Sequence, residues 1–106
     1  MGSDGDGETD LVVDTHLDFP ESDRFVRITV RLVPESEAYP EGVKYSMHYG
    51  EYDGTTILRY DNAHGETKGH ERHTPEGTES IDFEGWRPLL EQFREEVMSH
   101  ERADDT

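Results

Sequence analysis

The chain has 106 residues, which is enough for one small domain with a single hydrophobic core and too short for two independent domains. It carries 26 acidic and 10 basic side chains, a formal net charge of −16, and its lack of cysteine excludes disulfides and thiolate metal sites. No apolar run reaches the roughly 20 residues of a membrane span, and the acidic N-terminus does not resemble a signal peptide, so we expect a soluble, cytoplasmic protein.

Both ends of the chain are acidic tails. Residues 1–10 carry four acids and no base, and residues 101–106 carry three acids and one base. High charge with few hydrophobic residues favours disorder. We therefore expect a disordered tail at 1–10, a single folded domain at 11–100 and a frayed tail at 101–106.

Residues 13–19 and 24–33 alternate between apolar and polar side chains, the pattern of half-buried strands. If the four residues between them form a turn, Leu17 faces Val26 and Val13 faces Val30. The apolar faces of the two strands then coincide, as a correct register requires. The pattern predicts an antiparallel hairpin.

A second hairpin is predicted after a proline-containing loop at 34–42. Residues 43–49 alternate again, and Asp53-Gly54 is a strong signal for a two-residue turn into residues 55–62. This turn places Tyr49 opposite Leu58. Together the two hairpins predict a four-stranded antiparallel meander with one apolar and one polar face.

The C-terminal region predicts an amphipathic helix, because apolar residues recur there at helical spacing, namely Trp86, Leu89, Leu90, Phe93 and Val97. Proline is tolerated only in the first helical turn, so Pro88 places the helix start near Gly85. The fold class is therefore α+β, with this helix packed on the apolar face of the sheet. Residues 63–82 are expected to be mostly loop, with a short strand near 70–73 or 80–82.

The polar face of the predicted sheet leads into a histidine-rich segment at residues 59–73. The register places His48, Arg59 and Asp61 on this face, in a chain that is otherwise strongly acidic. Histidine exchanges a proton near neutral pH and is also a common metal ligand. The segment is therefore a candidate functional site.

Three uses of this segment compete on residue types alone. In the first, His64, His70 or His73 transfers protons on an RNA phosphodiester while Arg59 or Arg72 stabilises the developing charge. In the second, His70 and His73 bind a divalent metal with His64 or Asp61. In the third, the histidines only cap strands and loops by hydrogen bonding. Asn62 equally well ends its strand with a local side-chain turn.

The composition also carries information about origin. The chain has an acid excess and only two lysines, Lys44 and Lys68. This composition resembles that of cytoplasmic proteins from salt-accumulating halophilic archaea.

The histidine-rich segment resembles the TumE family of small toxins from toxin-antitoxin pairs. The residues that carry the resemblance are the strand 45–49, the run Arg59-Tyr60-Asp61-Asn62-Ala63, then His64 and the run His70-Glu71-Arg72-His73. Family members show an aromatic hairpin strand, a Tyr-Asp-Asn triplet, spaced histidines and a C-terminal helix, so the resemblance covers about residues 11–98. The chain departs from the family at Glu71, where a second histidine is usual.

The resemblance implies a toxin that is paired with a helix-turn-helix antitoxin and acts as a ribonuclease. Combined with the residue chemistry, it assigns catalysis to His64, His70, His73 and Asp61, and substrate binding to Arg59, Arg72, His48 and Asn62. No metal or cofactor is assigned. The alternatives are a protein-interaction module without turnover and a metal-dependent nucleic-acid enzyme.

Overall fold

The computed structural model describes residues 10–62 and 69–104, which form one antiparallel sheet and one helix. In this part of the chain, no helix is long and apolar enough to cross a membrane. The strands lie side by side in chain order, and they are β1 Asp10–Phe19, β2 Arg24–Leu32, β3 Val43–Glu51, β4 Thr56–Asp61, β5 Glu71–Thr74 and β6 Gly77–Ser80, followed by the helix α1 Trp86–Asp104.

The registers of the first two hairpins are as predicted from the sequence. Leu17 pairs with Val26 in the first hairpin, and Tyr49 pairs with Leu58 in the second. A bulge interrupts β1 between residues 11 and 13, and a second irregularity follows Tyr49. Gly54, in the second turn, has a φ of 101°, which a residue with a side chain rarely adopts.

The prediction of four strands is wrong, because the described residues form a sheet of six strands. Residues 71–80, expected to be mostly loop, form a further hairpin in which β5 pairs with β4 on one side and with β6 on the other. Its loop is Pro75-Glu76, followed by Gly77, which has a φ of 144°. Proline at the second and glycine at the fourth position are typical of tight turns, but four-residue strands rich in polar side chains give almost no periodicity.

The core lies between α1 and the apolar face of the sheet. Its largest fully buried side chains are Tyr45, Tyr49, Tyr60, Phe93, Met47 and Val30. The ring of Phe93, from the middle of the helix, packs edge to face on Tyr60, with 5.2 Å between the ring centroids. Aromatic contacts of this kind contribute beyond area burial, so the pair of Phe93 and Tyr60 helps to hold the helix on the sheet.

The helix begins where the proline argument places it, and its last turns are bonded to the sheet. Gly85, with a φ of 117°, precedes the first helical residue, and Pro88 lies in the first turn. The helix continues to Asp104. Glu101 accepts hydrogen bonds from Tyr49 and from Ser22 of the β1–β2 turn, so the last helical turns are bonded to the sheet.

One helix covers only part of the sheet. Six strands spaced about 4.8 Å apart span about 24 Å, whereas a helix with its side chains is about 10 Å wide. In the described part of the chain this leaves an apolar groove of ≈ 360 Å³ between β1 and α1. Leu17 and Met98, at this groove, are 51% and 45% exposed.

Candidate functional site

Asp61 is the centre of a charged cluster on the face of the sheet that α1 does not cover. It is the last residue of β4 and only 6% exposed. The Nε atom of Arg59 lies 2.9 Å from Asp61 Oδ2, and His73 Nε2 lies 3.4 Å from Asp61 Oδ1. The pairing of β4 with β5 causes this arrangement, because Arg59 lies opposite His73 and Asp61 lies opposite Glu71. Alternate residues of a strand share a face, so all four side chains meet.

The imidazole of His73 is held in a defined orientation. Its Nδ1 is 3.0 Å from Thr78 Oγ1 on β6, and its Nε2 points toward Asp61 and Glu71, with Glu71 Oε1 at 3.6 Å. The side chain is 31% exposed, so solvent and small molecules reach it. A protonated His73 forms ion pairs with both carboxylates, and a hydroxyl on its other ring nitrogen fixes the orientation of the ring.

His48 lies on the opposite side of Arg59 from His73. In the register of the sheet, Arg59 pairs with His48 on β3 and with His73 on β5, so two strand spacings, about 10 Å, separate the two histidine backbones. His48 Nε2 is 3.0 Å from Thr56 Oγ1. Burial and the neighbouring Arg59 charge lower the pKa of His48, which favours its neutral form at neutral pH.

His70 is not part of this cluster. Its Nδ1 is 2.8 Å from the hydroxyl of Tyr45, and its Nε2 is 3.2 Å from Glu41 Oε1. Its ring stacks on Phe83 with 4.2 Å between centroids. Both ring nitrogens therefore have partners, and the ring packs beside Tyr45 on the core side of the sheet.

Arg72 also faces the helix. Its guanidinium makes a two-pronged contact with Glu96 of α1, at 3.2 Å from Nε and 2.7 Å from Nη2, and a further ion pair with Glu79 at 3.0 Å. The bonds to Glu96 raise the pKa of Arg72 above its ordinary value. The Tyr60 hydroxyl donates to the same Glu96. This group attaches β4 and β5 to the helix and takes Arg72 away from the polar face.

Asn62 is 5% exposed and bonded to the backbone of β3. Its Oδ1 accepts from Tyr45 N at 3.0 Å, and its Nδ2 donates to Val43 O at 2.8 Å. Because β4 ends at Asp61, this side chain continues the hydrogen bonding of the strand by one step. His64, the remaining predicted site residue, lies outside the described residues.

Asp61, Glu71 and His73 also have the donor set of a divalent metal site. One ligand atom from each can be chosen so that all lie within 4.8 Å of one another. For metal–ligand bonds of about 2.1 Å, tetrahedral geometry places ligand atoms about 3.4 Å apart. The distances of 3.4 and 3.6 Å from His73 Nε2 to the two carboxylates are close to that spacing.

Sequence reasoning missed two members of the cluster, Glu71 and Thr78. From the sequence, Glu71 stands out only as a departure from the family pattern, although it lies beside His73, and Thr78 is on an unpredicted strand. The turn signal at Pro75 and Gly77 is the feature that could have located both. A two-residue loop of Pro75 and Glu76, between Thr74 and Gly77, pairs His73 with Thr78, as observed.

Comparison with known protein families gives a match over most of the chain. The family model described as Toxin TumE matches residues 5–101 of the chain. No curated protein and no solved structure shows a significant match.

Proposed function

The chain belongs to the TumE toxin family, and we propose that this toxin cleaves RNA by histidine acid-base chemistry. The observation that carries the proposal is the position of Arg59 between His48 and His73 on an open face of the sheet. A cation flanked by two groups that exchange protons suits a phosphodiester, whose cleavage needs one base, one acid and charge stabilisation.

The two histidines have different surroundings, which assigns their roles. Neutral His48, with its lowered pKa, takes the proton of a ribose 2′-hydroxyl. The 2′-oxygen then bonds to phosphorus and the bond from phosphorus to the 5′-oxygen breaks. Protonated His73, beside Asp61 and Glu71, donates a proton to the departing 5′-oxygen. The products are a 2′,3′-cyclic phosphate and a 5′-hydroxyl.

Arg59 binds the phosphate in this scheme. It contacts Asp61 through Nε, and its side chain is 48% exposed. A guanidinium has five N–H donors, so its terminal nitrogens can bind phosphate oxygens while Nε stays on Asp61. Asp61 then positions both Arg59 and His73, and Thr78 fixes the ring of His73.

The test is cleavage of an RNA oligonucleotide by purified protein in the presence of a chelator. Wild type is expected to cut, whereas His73→Ala, His48→Ala and Arg59→Ala each lose about 100-fold or more in rate, the usual size of an acid-base contribution. Arg31→Ala, an exposed position on the same face that lies away from these three residues, is the matched control and keeps the activity. Circular dichroism of each variant establishes that it is folded. Equal rates for all four variants would refute the proposal.

A metal-dependent nucleic-acid enzyme is the second candidate, and the cluster of Asp61, Glu71 and His73 favours it. It predicts activity that chelator abolishes, that Mn²⁺ or Mg²⁺ restores and that Glu71→Gln removes. Histidine acid-base chemistry predicts cleavage with chelator present, and a substantially smaller effect of Glu71→Gln than of His73→Ala. The same assay therefore separates the two candidates.

A toxin of this family points to an antitoxin partner, and we propose that the partner is a helix-turn-helix protein, as the family resemblance implies. The test is co-purification of the toxin with the product of the neighbouring reading frame. A stable complex that suppresses RNA cleavage supports the pairing. If a helix-turn-helix neighbour is absent, or it neither binds nor inhibits, the pairing is wrong.

A further inference from the structure

A single row of side chains crosses five of the six strands on the polar face. Reading the registers from β1 to β5, the paired residues alternate between histidine and arginine, in the order His16, Arg27, His48, Arg59 and His73. No acid occupies a position in this row, although the chain has 26 acids and 10 bases. Four strand spacings of about 4.8 Å give the row a length of about 19 Å.

At the β1–β2 end of the row, the neighbouring acids are paired with it at exposed positions. Asp14 lies 3.0 Å from Arg27, with side chains 48% and 51% exposed, and Asp18 lies 3.2 Å from His16. Exposed ion pairs of this kind contribute only about 0 to 1 kcal/mol. A phosphate group can therefore replace these carboxylates as the partner of the row at little cost.

Aromatic rings lie beside the β1–β3 end of the row. The Phe25 ring packs edge-on against His48 at 5.3 Å and lies parallel to Tyr52, with 6.4 Å between centroids. The His16 ring also stacks near Phe25, with 6.1 Å between the ring centroids. Tyr52 is 52% exposed, so it presents an accessible ring surface. Exposed aromatic rings next to cations on an antiparallel sheet are a means of stacking unpaired bases.

We propose that this row is a binding track for single-stranded RNA, whose backbone crosses the strands and whose base stacks on Tyr52 and Phe25. The proposal rests on the proposed function, because His48, Arg59 and His73 form one end of the track. It adds a substrate-binding region on β1 to β3 that the cleavage chemistry does not require. An acidic peptide would also bind the arginines, but its carboxylates would not stack on the aromatic rings.

The test measures binding separately from cleavage. A labelled RNA oligonucleotide with 2′-O-methyl riboses, which cannot be cut through a 2′-hydroxyl, is titrated with protein and followed by fluorescence anisotropy. Tyr52→Ala is expected to raise Kd at least about fivefold, the effect of losing one stacked base. Arg27→Ala is expected to raise Kd and to make the slope of log Kd against log salt shallower by about 0.7. Arg94→Ala, an exposed position on α1, is the matched control and binds like wild type.

Two results would overturn the track. The first is wild-type affinity for RNA in both Arg27→Ala and Tyr52→Ala. The second is an acidic peptide that displaces the RNA at equal concentration and whose own binding is weakened by Tyr52→Ala as much as RNA binding is. The outcomes also separate this proposal from the previous one. Binding that depends on Arg27 and Tyr52 without any cleavage supports the track and refutes the nuclease, whereas cleavage with unchanged KM in both variants refutes the track alone.

Discussion

Replacing Asn62 with alanine is expected to destabilise the fold and to leave the chemistry intact. The buried side chain bonds to two backbone groups of β3, the Tyr45 N–H at 3.0 Å and the Val43 carbonyl at 2.8 Å. The last pair between β3 and β4 is Ser46 with Asp61, so these two groups lie beyond the end of the neighbouring strand. Asn62→Ala removes the partner of both.

The size of the loss follows from those two groups. Leaving one buried donor or acceptor without a partner costs about 1 to 3 kcal/mol, so the loss of both partners in Asn62→Ala should lower the free energy of unfolding by about 2 to 6 kcal/mol. For a domain of this size each kcal/mol shifts Tm by about 4 to 8 °C, which gives a fall of at least about 8 °C.

The assay is thermal unfolding followed by circular dichroism, with hydrogen exchange of the Tyr45 amide as a local probe. That amide should exchange faster in Asn62→Ala than in wild type. Ser46→Ala, one pair away along the same two strands, is the control and should shift Tm by less than about 3 °C. RNA cleavage per folded molecule, measured below the lowered Tm, should equal wild type. A Tm within about 3 °C of wild type would refute the structural role of Asn62, and a normal Tm with lost cleavage would make it catalytic.

Other substitutions test the packing that supports the site. Burial acts to raise the pKa of Glu96, but hydrogen bonds from Arg72 and Tyr60 outweigh it and lower that pKa. The stabilisation that the Glu96 carboxylate gives the fold is therefore complete above its unfolded pKa of about 4.3, and it is lost as pH falls through the folded pKa. Glu96→Gln should therefore lower the free energy of unfolding by about 1 to 3 kcal/mol at pH 7. Urea unfolding should show this difference from wild type shrinking below about pH 4, and a difference that stays constant with pH would contradict the prediction. Gly50→Ala would place a Cβ 2.7 Å from the Thr55 carbonyl oxygen, and we expect a loss of about 1 to 3 kcal/mol in the same measurement, with unchanged stability as the contrary result. Phe93→Ala should cost about 3 to 5 kcal/mol, and a loss under about 1 kcal/mol would show that the helix is held elsewhere.

The first four strands and the helix were predictable because several signals agree there. Alternation of apolar residues defines each strand, and the turn sequences before Arg24 and after Asp53 set registers that place apolar residues opposite each other. Pro88 sets the start of the helix. Agreement of pattern, turn chemistry and register is what makes a local sequence specify one structure.

The candidate site was only partly predictable, because its geometry depends on the strand with the weakest pattern. Once residues 71–74 are known to be a strand, side chains three positions apart must point to opposite faces. His70 and His73 are therefore separated, and Glu71 joins His73 beside Asp61. Without that strand, the two histidines could only be grouped by their closeness in sequence.

The proton-transfer proposal predicts a dependence on one chemical group of the substrate, the ribose 2′-hydroxyl. The most direct measurement uses a DNA oligonucleotide that contains a single ribose, incubated with the protein and a chelator, with the products identified by mass spectrometry. We predict one cut, on the 3′ side of that ribose, which leaves a 2′,3′-cyclic phosphate and a 5′-hydroxyl, and no cut in the all-deoxy strand. Cleavage of the all-deoxy strand, or cleavage only when a divalent metal is added, would contradict the proposed chemistry of His48 and His73.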